Sequence, residues 1–78
     1  MTTDDPIGLA REIAEDLKAL KYDDRAQDIA TALESFSHAE VLIKLRFHLN
    51  LLLRSNLKMS NRLKFKINKL LNHIKDKL

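Results

Sequence analysis

The side chains capable of acid–base or metal chemistry are scattered along this 78-residue chain. None of the three histidines, His38, His48 and His73, has a second histidine or a carboxylate four residues away on one helical face, which is the spacing of a helical metal site. The chain has no cysteine, and its single glycine cannot build a phosphate-binding loop. The sequence therefore predicts no catalytic residue, no metal site and no cofactor, and we expect a protein that is not an enzyme.

Charge divides the chain into two halves. Residues 1–43 hold ten acidic and four basic side chains, whereas residues 44–78 hold ten basic side chains and one acidic side chain. In the acidic half, Glu12, Glu15 and Asp16 would steer a basic protein partner and imitate a phosphate backbone. In size, in charge polarisation and in its lack of catalytic residues, the chain resembles small bacterial accessory proteins, including immunity proteins and antitoxins. That resemblance is one of type and transfers no site.

The basic C-terminal segment supports an alternative function, nucleic-acid binding. Arg62, Lys66 and Lys69 would neutralise phosphates, and Asn68 and Asn72 would reach base edges. No glycine turn of a helix-turn-helix motif accompanies them. A solvated helix whose lysines face the acidic half explains the same residues, because lysine is favourable near a helix C-terminus. Protein binding is therefore the first hypothesis and nucleic-acid binding the second.

The composition predicts an all-α fold in a single domain, residues 1–78. The only proline and glycine are Pro6 and Gly8, and no segment alternates apolar and polar residues as a strand does. We expect an acidic helical hairpin in residues 1–36, followed by an apolar central helix and a basic last helix in residues 37–78. The apolar periodicity predicts a small bundle of four helices, at approximately 5–21, 24–35, 38–54 and 61–77.

The boundary between the last two helices has two interpretations. No glycine or proline follows Ser37, so one continuous helix to the C-terminus is an alternative, although a break between Arg54 and Ser60 fits the apolar spacing better. A capping box of Ser37 and Glu40 and a staple between Phe36 and Val41 mark the start of the central helix. The other N-caps are expected at Asp4 or Asp5, at Asp23 or Asp24, and at Ser60.

The central helix is apolar on two opposite sides. One side is the predicted core stripe, and the other carries Ile43, Phe47 and Leu51. Burying one such side chain contributes about 1.5–3 kcal/mol, so we expect the second stripe to be covered by the last helix or by a second copy in a homodimer. Phe65, on the back of the last helix, adds a further candidate interface residue. The predicted core stripe comprises Val41, Leu42, Leu45, Leu49, Leu52 and Leu53.

Two features bear on the location of the protein. The N-terminus lacks the basic and apolar regions of a signal peptide. Charged residues such as Lys44 and Arg46 interrupt the most apolar run, which therefore falls short of the roughly 20 apolar residues of a membrane span. We expect a cytoplasmic protein without a membrane span.

Overall fold

The computed structural model describes residues 5–77 and shows four α-helices in that part of the chain. α1 packs against α2 and α4, and α3 packs against the same two helices, so the four helices surround one core. The predicted all-α bundle is confirmed, as is the break between the last two helices, since residues 55–60 are not helical. Across residues 5–77, no helix combines the length and the apolar character that crossing a bilayer requires. The helices are α1 (Pro6–Ala19), α2 (Asp23–Leu33), α3 (His38–Arg54) and α4 (Asn61–Lys77).

Three of the four helices begin at a predicted cap. The side chains of Asp5, Ser37 and Ser60 each accept a hydrogen bond from a backbone N–H two or three residues ahead, at 3.1–3.2 Å. Each bond satisfies a donor that the first turn of a helix leaves without an intrahelical partner. The alternative cap at Asp4 lies outside the described residues.

The predicted cap of α2 is wrong. The chain leaves α1 through Lys21, whose backbone is left-handed with φ 67°, and the N–H of Tyr22 donates to the carbonyl of Leu17 at 2.9 Å. This tight reversal makes Tyr22 the N-cap, without a side-chain capping bond. Asp23 and Asp24 consequently lie inside the first turn of α2, where their charges face the positive end of the helix dipole.

A hydrogen bond also joins two of the connections between helices. The phenol of Tyr22, in the turn between α1 and α2, donates to the backbone carbonyl of Lys58 at 3.2 Å. Lys58 lies in the segment that links α3 to α4. This bond therefore fixes the position of the α3–α4 connection relative to the first two helices.

Every buried residue in the described part of the chain is apolar, and all four helices contribute to the core. Alanines are buried on both α1 and α2, and their small side chains let the two helices approach closely. The fully or almost fully buried side chains are Leu9, Ala10, Ile13 and Leu17 of α1, Ala26, Ile29 and Ala32 of α2, Val41, Leu42, Leu45, Leu49 and Leu52 of α3, and Leu63, Ile67, Leu70 and Ile74 of α4.

Some apolar residues predicted to be covered are exposed. Leu53, a member of the predicted core stripe, lies in the last turn of α3 at the margin of that stripe and reaches solvent. The hydrophobic staple does not form, because Phe36 is fully exposed whereas Val41 is buried. Of the two covers expected for the second stripe of α3, the last helix is not one, since Ile43 and Phe47 are exposed. α4 packs its own buried face into the shared core and leaves Phe47 in solvent.

Candidate protein-interaction surface

The second apolar stripe of α3 lies on the outside of the bundle. Ile43 is 49% exposed and Phe47 is 61% exposed, whereas Leu45 and Leu49, on the opposite side of the same helix, are fully buried. Leu51, one turn beyond Phe47, is half-buried. The spacing of four residues makes these three side chains one ridge along the helix surface. An apolar ridge in solvent is the type of surface that another molecule covers.

Two arginines and an asparagine flank this ridge. A shallow depression of about 340 Å³ runs along the outer side of α3. Arg46 and Arg54 both line it, and within residues 5–77 neither guanidinium has a carboxylate within 4.0 Å. The result is an apolar surface with unmatched positive charge at its edge. We call it the α3 outer face, and it consists of Ile43, Arg46, Phe47, Asn50, Leu51 and Arg54.

Phe65 does not belong to the α3 outer face. It is 68% exposed on α4 and does not line the depression along α3. Its helical neighbours three residues before it and four residues after it are Arg62, which is exposed, and Lys69, which is half-buried. Phe65, which the sequence analysis added to the same candidate interface, therefore forms a separate, smaller apolar feature.

The predicted acidic surface is partly neutralised within the fold. The ammonium of Lys66 in α4 lies 2.8 Å from an oxygen of Asp16 and 3.8 Å from an oxygen of Glu12, both in α1. The Lys66 side chain is only 15% exposed, so its charge is directed at these carboxylates and not at solvent. Glu15 points away from this cluster and remains exposed. Of the three predicted acidic residues, Glu15 is the one outside this cluster, whereas Glu12 and Asp16 share one ammonium and keep side chains that are 44% and 39% exposed.

The predicted nucleic-acid residues are likewise divided. Arg62, Asn68 and Asn72 are exposed on α4, and Lys69 is half-buried. Lys66 faces α1, as described above, and does not join them. The structure therefore leaves one exposed cation, Arg62, and two exposed amides from the predicted set.

The histidines do not converge on a common site. His48 Nδ1 lies 4.0 Å from an oxygen of Asp28 in α2, which makes this pair a contact between α2 and α3. His38 is exposed in the first turn of α3, and His73 is half-buried in α4. No group of three histidine, cysteine, aspartate or glutamate side chains that could hold a metal ion occurs among residues 5–77.

Sequence reasoning missed three residues of the α3 outer face: Arg46, Asn50 and Arg54. Their positions could have been found from the sequence, because residues three apart are neighbours on a helix surface. Each of these polar residues follows one residue of the apolar stripe by three positions: Arg46 follows Ile43, Asn50 follows Phe47, and Arg54 follows Leu51.

Comparisons with protein-family models, with curated proteins and with solved structures found no match to this chain.

Proposed function

We propose that this protein is a non-enzymatic protein-interaction module that binds a protein partner through the α3 outer face. The observation that carries this proposal is the exposure of Ile43 and Phe47 on a helix whose opposite side is completely buried. The core contains buried residues from all four helices without them, so folding does not require either side chain to be large and apolar.

The composition of this surface favours a protein as the bound molecule. Single exposed apolar residues are common on proteins and need no explanation. On the α3 outer face, the exposed Ile43 and Phe47 adjoin the half-buried Leu51. Arg46 and Arg54 border these apolar side chains. Protein interfaces are enriched in aromatic residues and arginine, with apolar anchors at the centre and polar groups at the rim.

A small immunity-like or antitoxin-like accessory protein is the most concrete form of this role. Such a protein works by covering a partner and needs no chemistry of its own, which agrees with the scattered histidines described above.

Nucleic-acid binding through α4 is the second candidate, and the exposure of Arg62, Asn68 and Asn72 favours it. If Arg62 and Lys69 contact phosphates, the logarithm of the binding constant will fall linearly with the logarithm of salt concentration. Replacing either residue with alanine will then reduce that slope by about one. Filter binding of duplex DNA and RNA at two salt concentrations measures this. Absence of binding at low salt would reject the candidate.

Site-specific photocrosslinking tests the protein-binding proposal. A photoreactive amino acid at Asn50 lies at the edge of the α3 outer face and leaves Phe47 in place. The same group at Thr31, which is exposed on α2, is the control. In cells of the source organism, we expect a discrete protein adduct from position 50 that Phe47→Ser abolishes, and no such adduct from position 31.

The proposal would be rejected if position 50 gave no protein adduct, or if Phe47→Ser left the adduct unchanged. Circular dichroism of the purified variants would confirm that both remain helical. An adduct to nucleic acid at position 50 would also reject protein binding by this surface.

A further inference from the structure

The charge along α3 and α4 restricts what can cover the α3 outer face. Glu40 is in the first turn of α3, and the next acidic side chain along the chain is Asp76, near the end of α4. Between them the chain carries only basic charges, including Arg46 and Arg54 at the edge of the apolar ridge. A molecule lying on Phe47 and Leu51 will therefore meet the positive charges of Arg46 and Arg54, which have no carboxylate within 4.0 Å among residues 5–77.

We infer that the α3 outer face binds an acidic amphipathic helix of a partner protein. In this arrangement, apolar side chains of the partner helix cover Ile43 and Phe47, and its aspartates or glutamates pair with Arg46 and Arg54. The inference rests on the proposed function and adds the chemistry of the partner to it.

The shape of the α3 outer face fits a helix. Side chains four residues apart, at Ile43, Phe47 and Leu51, form the type of ridge that packs into the groove between ridges of another helix. Arg46 and Arg54 are eight residues apart on the same helix, which corresponds to about 12 Å along the axis. Acidic residues seven or eight positions apart on a partner helix span the same distance, so both ion pairs can form at once.

A second copy of this chain is a poorer occupant. A two-fold contact through the same surface would place Arg46 and Arg54 of each copy beside those of the other, in a region from which water is displaced. Like charges brought together in such a region repel strongly. A contact between the α3 outer face and the acidic side of another copy would be head-to-tail, and such contacts extend into open filaments or rings.

A nucleic acid also matches this surface poorly. Arginines suit phosphates, but the centre of the α3 outer face is formed by Ile43, Phe47 and Leu51. A phosphate backbone has no apolar groups to cover two aliphatic side chains, and only Phe47 offers a ring for base stacking. An acidic amphipathic helix has apolar side chains to cover the centre and carboxylates to pair with the arginines at the edge.

Two synthetic helical peptides of about 20 residues test the inference. Both carry the same leucine stripe, and glutamates flank the stripe in one peptide whereas lysines flank it in the other. Titration into the isotope-labelled full-length chain, followed by NMR, measures the affinity and locates the binding surface. We expect the glutamate peptide to shift the amide signals of the α3 outer face, and the lysine peptide to bind at least about tenfold more weakly.

Charge reversal supplies the decisive comparison. The double substitution Arg46→Glu with Arg54→Glu should reverse the preference, so that the lysine peptide binds more tightly. The matched control is Arg62→Glu with Lys64→Glu, which makes the same change in net charge at two exposed residues of α4. This control should leave the preference unchanged. Phe47→Ser should weaken binding of the glutamate peptide at least about tenfold.

Several results would overturn the inference: no binding of the glutamate peptide, equal binding of both peptides, or shifts located on α4. Concentration-dependent shifts of the α3 outer face without peptide would assign this surface to a second copy. Displacement of the glutamate peptide from the α3 outer face by single-stranded RNA would assign it to nucleic acid. A protein adduct at position 50 with no peptide binding would reject the acidic helix and leave the proposed function standing.

Discussion

Replacing Phe47 should hardly change the stability of the fold, whereas replacing its near neighbour Leu49 should change it greatly. The two residues lie on the same helix, but Phe47 is 61% exposed and Leu49 is fully buried. Comparing Phe47→Ala with Leu49→Ala therefore separates a side chain kept for binding from a side chain that holds the bundle together.

The expected magnitudes follow from burial. Full burial of a large apolar side chain contributes about 1.5–3 kcal/mol, and Phe47 keeps about two-fifths of its surface covered, so its removal loses about 0.6–1.2 kcal/mol. Alanine has a higher helix propensity than phenylalanine, which offsets about 0.5 kcal/mol of this lost stability. The net loss for Phe47→Ala is therefore below about 1 kcal/mol. Leu49→Ala leaves a cavity and should cost about 2–5 kcal/mol, out of a total of about 4–12 kcal/mol for a chain of this size.

Urea denaturation followed by circular dichroism measures both free energies of unfolding. Measurements at two protein concentrations would show whether association contributes to either value. Equal destabilisation by the two substitutions would refute the reasoning, because it would mean that Phe47 is part of the structural core.

Three further predictions concern the rest of the molecule. Lys21→Gly should stabilise the fold by about 1 kcal/mol, because glycine adopts the left-handed backbone of this position without the strain of a side chain. Urea denaturation measures the change, and a lower free energy of unfolding for the variant would contradict the prediction. Asp16→Asn should destabilise the fold by about 1 kcal/mol, because it leaves the Lys66 ammonium with only the more distant Glu12. The loss should be smaller in high salt, and an equal loss from the control Glu15→Gln would argue against a role for the Lys66–Asp16 ion pair. Sedimentation equilibrium of the isolated chain should give a monomer, because the arginines of the α3 outer face oppose a symmetric contact; a stable dimer that Phe47→Glu dissociates into folded monomers would contradict this.

Helix positions could be predicted from the sequence because they depend on local patterns. The apolar spacing and the short polar residues Ser37 and Ser60 place the starts of α3 and α4 where the structure has them. The turn after α1 could not be predicted, because it depends on a lysine in a left-handed conformation that usually belongs to glycine. Nothing in the type of residue 21 signals that geometry.

The candidate site was predicted in part. The pattern of Ile43, Phe47 and Leu51 identified the second stripe, but it could not show which side of α3 the last helix would cover, since that depends on packing between distant segments. The pairing of Lys66 with Asp16 crosses fifty residues of sequence, so net charge alone could not show that these charges meet inside one molecule. Local periodicity specifies the faces of each helix, and only the tertiary arrangement specifies which faces remain free.

Once photocrosslinking has identified the partner, isothermal titration calorimetry with the purified partner tests protein binding by the α3 outer face most directly. Phe47 and Phe65 are similarly exposed, at 61% and 68%, on different helices, so Phe47→Ser and Phe65→Ser form a matched pair. We predict that Phe47→Ser weakens the affinity at least about tenfold and that Phe65→Ser leaves it unchanged. A greater loss from Phe65→Ser than from Phe47→Ser would contradict the assignment and place the binding surface on α4.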